Sequence, residues 1–153
     1  MADNLQWVQQ RESSRRGKIL FFAHDGHVQR SVAIFGSAGR PFTLVRQRRA
    51  GGYLRSVLDR DMVVIGTYYG RGTDPDQARP RRPDIGGMDG LLSSPSIPRF
   101  IMDLRQLPSA GGLHEWFQAA HETRWVTIVA PLEAYDAILF LDNITPTPAP
   151  QKQ

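Results

Sequence analysis

Residues 18–27, K-I-L-F-F-A-H-D-G-H, constrain this chain more than any other stretch, because a continuous apolar run there delivers several titratable groups to one point. Ile19, Leu20, Phe21, Phe22 and Ala23 are bounded by Gly17 and Gly26, a pattern that predicts a core strand buried on both faces. His24, Asp25 and His27 follow at its C-terminal end, the edge of an open α/β sheet where loops gather and ligands bind. An imidazole exchanges a proton near neutral pH, and a neighbouring carboxylate fixes its tautomer and steadies its charged form. Gly26 lets the chain turn so that both rings aim into one cavity. On spacing alone, a strand-end loop with solvated histidines is the commoner reading. This H-x-x-H lacks the Glu and the third ligand that make zinc motifs informative.

The remaining apolar runs set the architecture. Residues 1–11 predict a helix with Leu5, Trp7 and Val8 on its apolar side. Residues 28–50 lack steady periodicity and fit a long active-site loop. Residues 53–58 predict a helix that packs Leu54, Val57 and Leu58 on the sheet. A second strand is expected over residues 62–69, ended by Gly70 and Gly72, followed by a loop over 73–90 that is either a lid or disordered. A short helix over 88–94 leads to a third strand over 99–104, which ends in Asp103 and Arg105. On chemistry alone those two charges are better read as an ion pair than as the wall of a polar pocket. A helix over 113–122 carries His114 and His121 on a solvated face, residues 125–129 are extended, and residues 135–142 form the fourth strand. The alternation predicts an α/β fold with a largely parallel central sheet of about four strands flanked by helices. Residues 1–146 form one domain and residues 147–153 a disordered proline-rich tail.

Composition narrows the function classes. With 41% hydrophobic and 22% charged residues, 153 residues suit one globular domain. The chain carries 19 Lys and Arg against 15 Asp and Glu, a net charge of +4. Its arginine clusters, at 46, 48, 49 and at 79, 81, 82, are not interleaved with aromatics, so solvated loops are favoured over nucleic-acid contact. There is no cysteine, which excludes disulfides and thiolate metal sites. No apolar run approaches a membrane span and no signal peptide is evident, so a cytoplasmic location is expected. There is also no G-x-S-x-G elbow and no phosphate-binding loop of the G-x-x-x-x-G-K-[ST] type.

Together these stretches resemble the C-terminal half of the erythromycin esterase family. The resemblance rests on M-A-D-N-L-Q-W at 1–7, K-I-L-F-F-A-H-D-G-H at 18–27, G-Y-L-R followed by V-V-I-G-T within 52–67, F-I-M-D-L-R at 100–105, and Y-D-A-I-L-F-L-D-N-I-T-P at 135–146. It implies an incomplete portion of a hydrolase fold, with a cleft in which histidines and carboxylates activate water to open a small-molecule ester or macrolide lactone. His24 and His27 fall on the family's paired histidines and take the catalytic part. Asp25, Asp103 and Arg105 take substrate-binding or supporting parts. Asp25 stands where the family usually has Asn, and Phe22 where Trp is common.

The family's other motif, G-E-x-x-H-G, belongs to an N-terminal half, and neither an H-G pair nor a Glu-x-x-His occurs in this sequence. Without that general base, hydrolysis is expected to fall by ~10²–10⁴-fold. The expectation is therefore a truncated or split carboxylic-ester hydrolase that requires no cofactor and pairs with an N-terminal half-domain or with itself. The alternative is a non-catalytic or decayed binding domain that retains the fold. A divalent metal on His24, Asp25 and His27 ranks last.

Overall fold

The computed structural model describes residues 1–15, 17–36, 44–73, 80–83, 86–122 and 127–145. The proline-rich tail, Arg79, Trp125 and much of the expected lid lie outside them. The chain opens with helix α1 (Ala2–Ser13), close to its predicted span. A single-turn helix, α2 (Asp25–Val28), begins at the histidine pair. Strands β1 (Ala33–Gly36) and β2 (Leu44–Gln47) pair antiparallel within what the sequence suggested was one long loop. Helix α3 (Ala50–Leu58) follows. Leu54 is buried in it as expected, but Val57 is 56% exposed.

The spine of the molecule is a parallel pair. Strand β3 (Ile65–Thr73) runs beside β8 (Ala137–Ile144), in register from Ile65 opposite Ala137 to Gly72 opposite Ile144. That long ladder carries β3 past Gly70 and Gly72, where the sequence suggested an end. The short strand β4 (Pro80–Arg81) pairs antiparallel with the end of β3. Helix α4 (Met88–Ser93) leads to β5 (Arg99–Asp103), which pairs antiparallel with β8. Helix α5 (Gly112–Gln118) is followed by β6 (His121–Glu122), β7 (Thr127–Val129) and the single turn α6 (Pro131–Ala134), which enters β8.

The fold is mixed α/β, with two four-stranded sheets in the orders β2-β1-β7-β6 and β4-β3-β8-β5. The expected largely parallel sheet is corrected here, since β3–β8 is the one parallel pairing among the described residues and the other strand pairs run antiparallel. The physical reason lies in the connections. The short connections β1–β2 and β3–β4 force antiparallel pairs, and the long ones permit parallel pairing without imposing it, since β1–β7 and β5–β8 are antiparallel despite theirs. The core lies on one face of this second sheet. Phe117, Ile138 and Phe140 are fully buried there with Leu92, Leu104 and Tyr135 packed around them. Each such side chain stabilises the fold by about 1.5–3 kcal/mol.

The predicted strand over residues 19–23 does not form. Residues 17–24 have no regular structure, and Leu20 and Phe22 are 89% and 88% exposed. Ile19 and Phe21 are half-covered, at 37% and 40%. A strand that is apolar on both faces needs neighbours on both sides, and no strand of the described residues pairs with this one. Burying Leu20 and Phe22 would contribute ~1.5–3 kcal/mol each, a gain the described fold does not realise. No described helix is long and apolar enough to cross a membrane.

Candidate active site

The apolar segment hands over to α2 at His24. Its imidazole caps the helix, with Nδ1 accepting the Gly26 backbone N–H at 3.1 Å. The backbone of His24 is extended and that of Asp25 helical, so the chain turns sharply and brings the rings of His24 and His27 edge to face, 6.2 Å between centroids. Both histidines are exposed.

Asp25 points the other way, into the sheet. Its Oδ2 accepts the backbone N–H of Thr67 on β3 at 2.9 Å. Burial pushes its carboxyl above the usual aspartate range, while the Thr67 bond and nearby His24 act in the opposite direction. The expected neighbouring carboxylate that fixes an imidazole tautomer gives way to a strut that ties the histidine turn to β3. Neither ring donates a hydrogen bond to this carboxylate among the described residues.

Beneath Asp25 lie two tyrosines that the sequence reading did not single out. Tyr68 and Tyr135 meet edge to face at 6.3 Å. Burial raises the Tyr68 hydroxyl to about 12, a hydrogen bond with Tyr135 lowers it, and the Asp25 carboxylate raises it further. Tyr135 is raised well above its ordinary value, by burial first and then by Tyr68 and Asp25. Both phenols stay protonated across the physiological range. Gly66 makes room for this arrangement, since a Cβ there would press on the Tyr135 ring at 3.0 Å. One available signal was Gly66 one residue before a polar-aromatic run, G-T-Y-Y, in an otherwise aliphatic strand.

A buried cross-brace fixes the far side of the turn. Arg30 Nη1 meets Asp136 Oδ1 at 2.8 Å, and Arg30 Nη2 donates to the Tyr135 carbonyl at 2.6 Å. Asp136 Oδ2 accepts the Val64 N–H at 2.7 Å. Three chain segments more than 30 residues apart thus meet directly behind the histidines. Gly51, at the start of α3, packs against the Val28 carbonyl so closely that a Cβ would collide with it.

Asp103 and Arg105 form the ion pair that their chemistry favoured. Arg105 donates through Nε to Oδ1 at 2.8 Å and through Nη2 to Oδ2 at 2.7 Å. The guanidinium holds the Asp103 carboxyl down at about 2. The pair sits at the end of β5, with Asp103 opposite Ala137 at the start of β8 and two strands away from β3. No interaction joins it to His24 or His27 among the described residues. The histidines of the 113–122 region are not solvated as a pair. His121 stacks on Trp116 at 3.7 Å and donates to its carbonyl, and His114 Nδ1 is buried without a partner among the described residues.

A cavity of about 520 Å³ lies at the far end of β3, lined by Arg71, Arg82, Pro83, Gly90, Ser93 and Ser94. It does not include the histidine turn, whose rings stand on an open surface. Among the described residues no group of three or more His, Cys, Asp or Glu is arranged to hold a metal ion. At the turn itself, His24 Nδ1 and Asp25 Oδ2 are already committed to backbone amides.

The family model for erythromycin esterase matches residues 1–144. The chain belongs to the erythromycin esterase family. A search of curated proteins finds no match. Among solved structures, the chain is similar to one described as a succinoglycan biosynthesis protein, with 22% identity and a TM-score of 0.70 over 95% of this chain. It is also similar to a protein from Bacillus cereus, with 17% identity and a TM-score of 0.57 over 81% of this chain. It spans 37% and 33% of the lengths of those two proteins. At these identities the likeness establishes the fold alone.

Proposed function

We propose that this chain is the C-terminal portion of an erythromycin-esterase-like hydrolase, and that His24 and His27 take part in activating water to cleave a small-molecule ester or a macrolide lactone. The observation that carries this reading is the turn itself. In a member of this family, two imidazoles stand 6.2 Å apart on a helix end anchored to the sheet by a half-buried carboxylate. In the proposed reaction, water adds through oxygen to the acyl carbon and gives its proton to an imidazole. The carbonyl electrons move to oxygen, the carbon–oxygen bond to the leaving alcohol breaks, and the imidazole returns the proton to that alkoxide. Asp25 holds the turn, and the supporting or substrate-binding part proposed for Asp103 and Arg105 is played from the end of β5.

Histidines on an open surface turn over an ester poorly, since water exclusion and orientation account for much of a hydrolase's rate. The exposed segment at 19–23 and the span of about one third of the related structures support the same conclusion. The reading therefore includes a partner, an N-terminal half-domain that completes the cleft and pairs with that segment. No cofactor is part of it. The open placement of both rings also favours a second reading, a binding domain that retains the fold without turnover.

The test is to combine the purified chain with the N-terminal portion of a full-length family member and to assay erythromycin and simple aryl esters. Cleavage by the mixture and not by either part supports the hydrolase. A stable complex that leaves every ester intact supports the binding domain.

A further inference from the structure

A second place in the fold has room for a small molecule: the cavity of about 520 Å³ at the far end of β3, a volume within the ordinary range of ligand sites. Its position follows from how α4 meets the strand. Gly70 lets the end of the helix lie directly on β3, since a Cβ there would meet Ser93 Oγ at 2.8 Å and the Asp142 carbonyl at 2.9 Å. Arg71 comes next in the chain, and it lines the space with Gly90, Ser93 and Ser94 from the α4 region and with Arg82 and Pro83 after β4. No residue of the histidine turn takes part.

Among the described residues this lining carries two guanidiniums and two hydroxyls and no carboxylate. Arg71 faces Asp142, but only through Nε at 3.9 Å and with its side chain 66% exposed, a pairing that contributes little. Arg82 has no ion pair or hydrogen bond among the described residues. Carbonyls at the end of a helix disfavour an anion, yet those of α4 are already taken. Leu91 accepts the Ser94 N–H at 3.2 Å and the Ser94 hydroxyl at 2.7 Å, and Ser93 accepts the Ser96 N–H at 3.1 Å. Ser93 Oγ is buried with no partner among the described residues. Two cations on a concave wall focus a positive potential into the space, and their planar forks match the paired oxygens of a carboxylate or a phosphate.

We propose that this cavity binds a small organic oxyanion, a carboxylate or a phosphate monoester, with its charged group held between Arg71 and Arg82 and its uncharged body against Pro83 and Gly90. The serines supply the remaining contacts. Ser94 Oγ, which already donates to Leu91, accepts from the ligand, and Ser93 Oγ gains the partner it lacks by rotating about χ1. A metal cation is repelled by the same wall, and a neutral polyol leaves both guanidiniums without a counter-charge. The site does not depend on the hydrolase reading. Thr67, which anchors the histidine turn, precedes Arg71 on β3 by a stretch of strand roughly 13 Å long, so an anion sits in one place whether or not an ester is cleaved at the other.

The test is calorimetric titration of the purified chain at low ionic strength with glycerol 3-phosphate, with succinate and with glycerol. Saturable binding of at least one anion and none of glycerol is expected. Tighter binding of the phosphate ester assigns a phosphate site, tighter binding of succinate a carboxylate site, and equal binding an oxyanion site that accepts both. Arg71→Gln and Arg82→Gln are each expected to weaken the anion ~10-fold or more without moving the melting temperature, since both side chains are exposed. Amide spectra locate the ligand, with shifts expected at Gly90, Ser93 and Ser94 while Gly26 and His27 stay unmoved. Absence of saturable binding by either anion, glycerol binding as tightly as the anions, unchanged affinity in both variants, or shifts centred on the histidine turn overturns the proposal.

Discussion

Replacing Asp136 is the sharpest perturbation of the scaffold behind the histidines. Its side chain is 9% exposed and faces Arg30, itself 16% exposed, at 2.8 Å, while its second oxygen accepts the Val64 N–H at 2.7 Å. Asp136→Ala removes both acceptors at once and leaves a buried guanidinium with no counter-charge. Breaking a buried pair from one side costs about 3–5 kcal/mol, a large share of the ~5–15 kcal/mol by which domains are stable. Asp136→Asn keeps an acceptor for the amide and loses only the charge, which costs ~1.5–3 kcal/mol. Urea unfolding followed by far-ultraviolet circular dichroism gives both values from the midpoint shift at constant slope. The Arg30 N–H also bonds the Ala134 carbonyl, three residues after His27, so the same variants should loosen the histidine turn. An Asp136→Ala protein within about 0.5 kcal/mol of the parent, the range of an ordinary surface change, would show that the brace does not hold the fold.

Three further expectations follow from particular contacts. Asp25 has its folded pKa raised by burial, so the ionised carboxylate opposes folding and stability falls as pH rises from 3.8 through the higher folded value. Asp25→Asn keeps an acceptor for Thr67 and should melt higher than the parent at neutral pH, with the gap closing in acid; a lower melting point at pH 7 would contradict this. Asp103 behaves oppositely, since Arg105 lowers it from 3.8 to about 2. Its contribution is present above 3.8 and lost as pH falls through 2, so melting curves of Asp103→Asn and the parent should differ only above that window. Gly51→Ala forces α3 off the Val28 carbonyl and should destabilise the fold by ~1–3 kcal/mol in the same urea assay, whereas Ala is ordinarily better than Gly inside a helix.

The elements legible in the sequence were those whose pattern is local. Helices α1, α3 and α4 and strands β5 and β8 fall within a few residues of their expected places, because periodicity and glycine or proline punctuation suffice to define them. The run at 19–23 shows the limit of that logic. Five apolar residues announce a buried strand, yet burial depends on neighbours, and Leu20 and Phe22 stand in solvent for want of them. Strands β1 and β2, four residues each, are too short for alternation to register against the glycines around them. At the site, His24 and His27 were legible as residues that meet. Asp25 was legible as important but not in its direction, since its bond to Thr67 spans 42 positions. The Arg30–Asp136 brace, 106 positions apart, and the Tyr68–Tyr135 contact are fixed by tertiary packing, which no local pattern encodes.

The proposed role of the histidine turn is ester hydrolysis once its cleft is complete. It is tested most directly by comparing the assembled enzyme with its His24→Ala and His27→Ala forms, reading turnover and substrate binding separately. Both variants are expected to bind substrate and assemble, with turnover reduced ~10²–10⁴-fold. Variants that assemble and cleave ester at the parent's rate would contradict it.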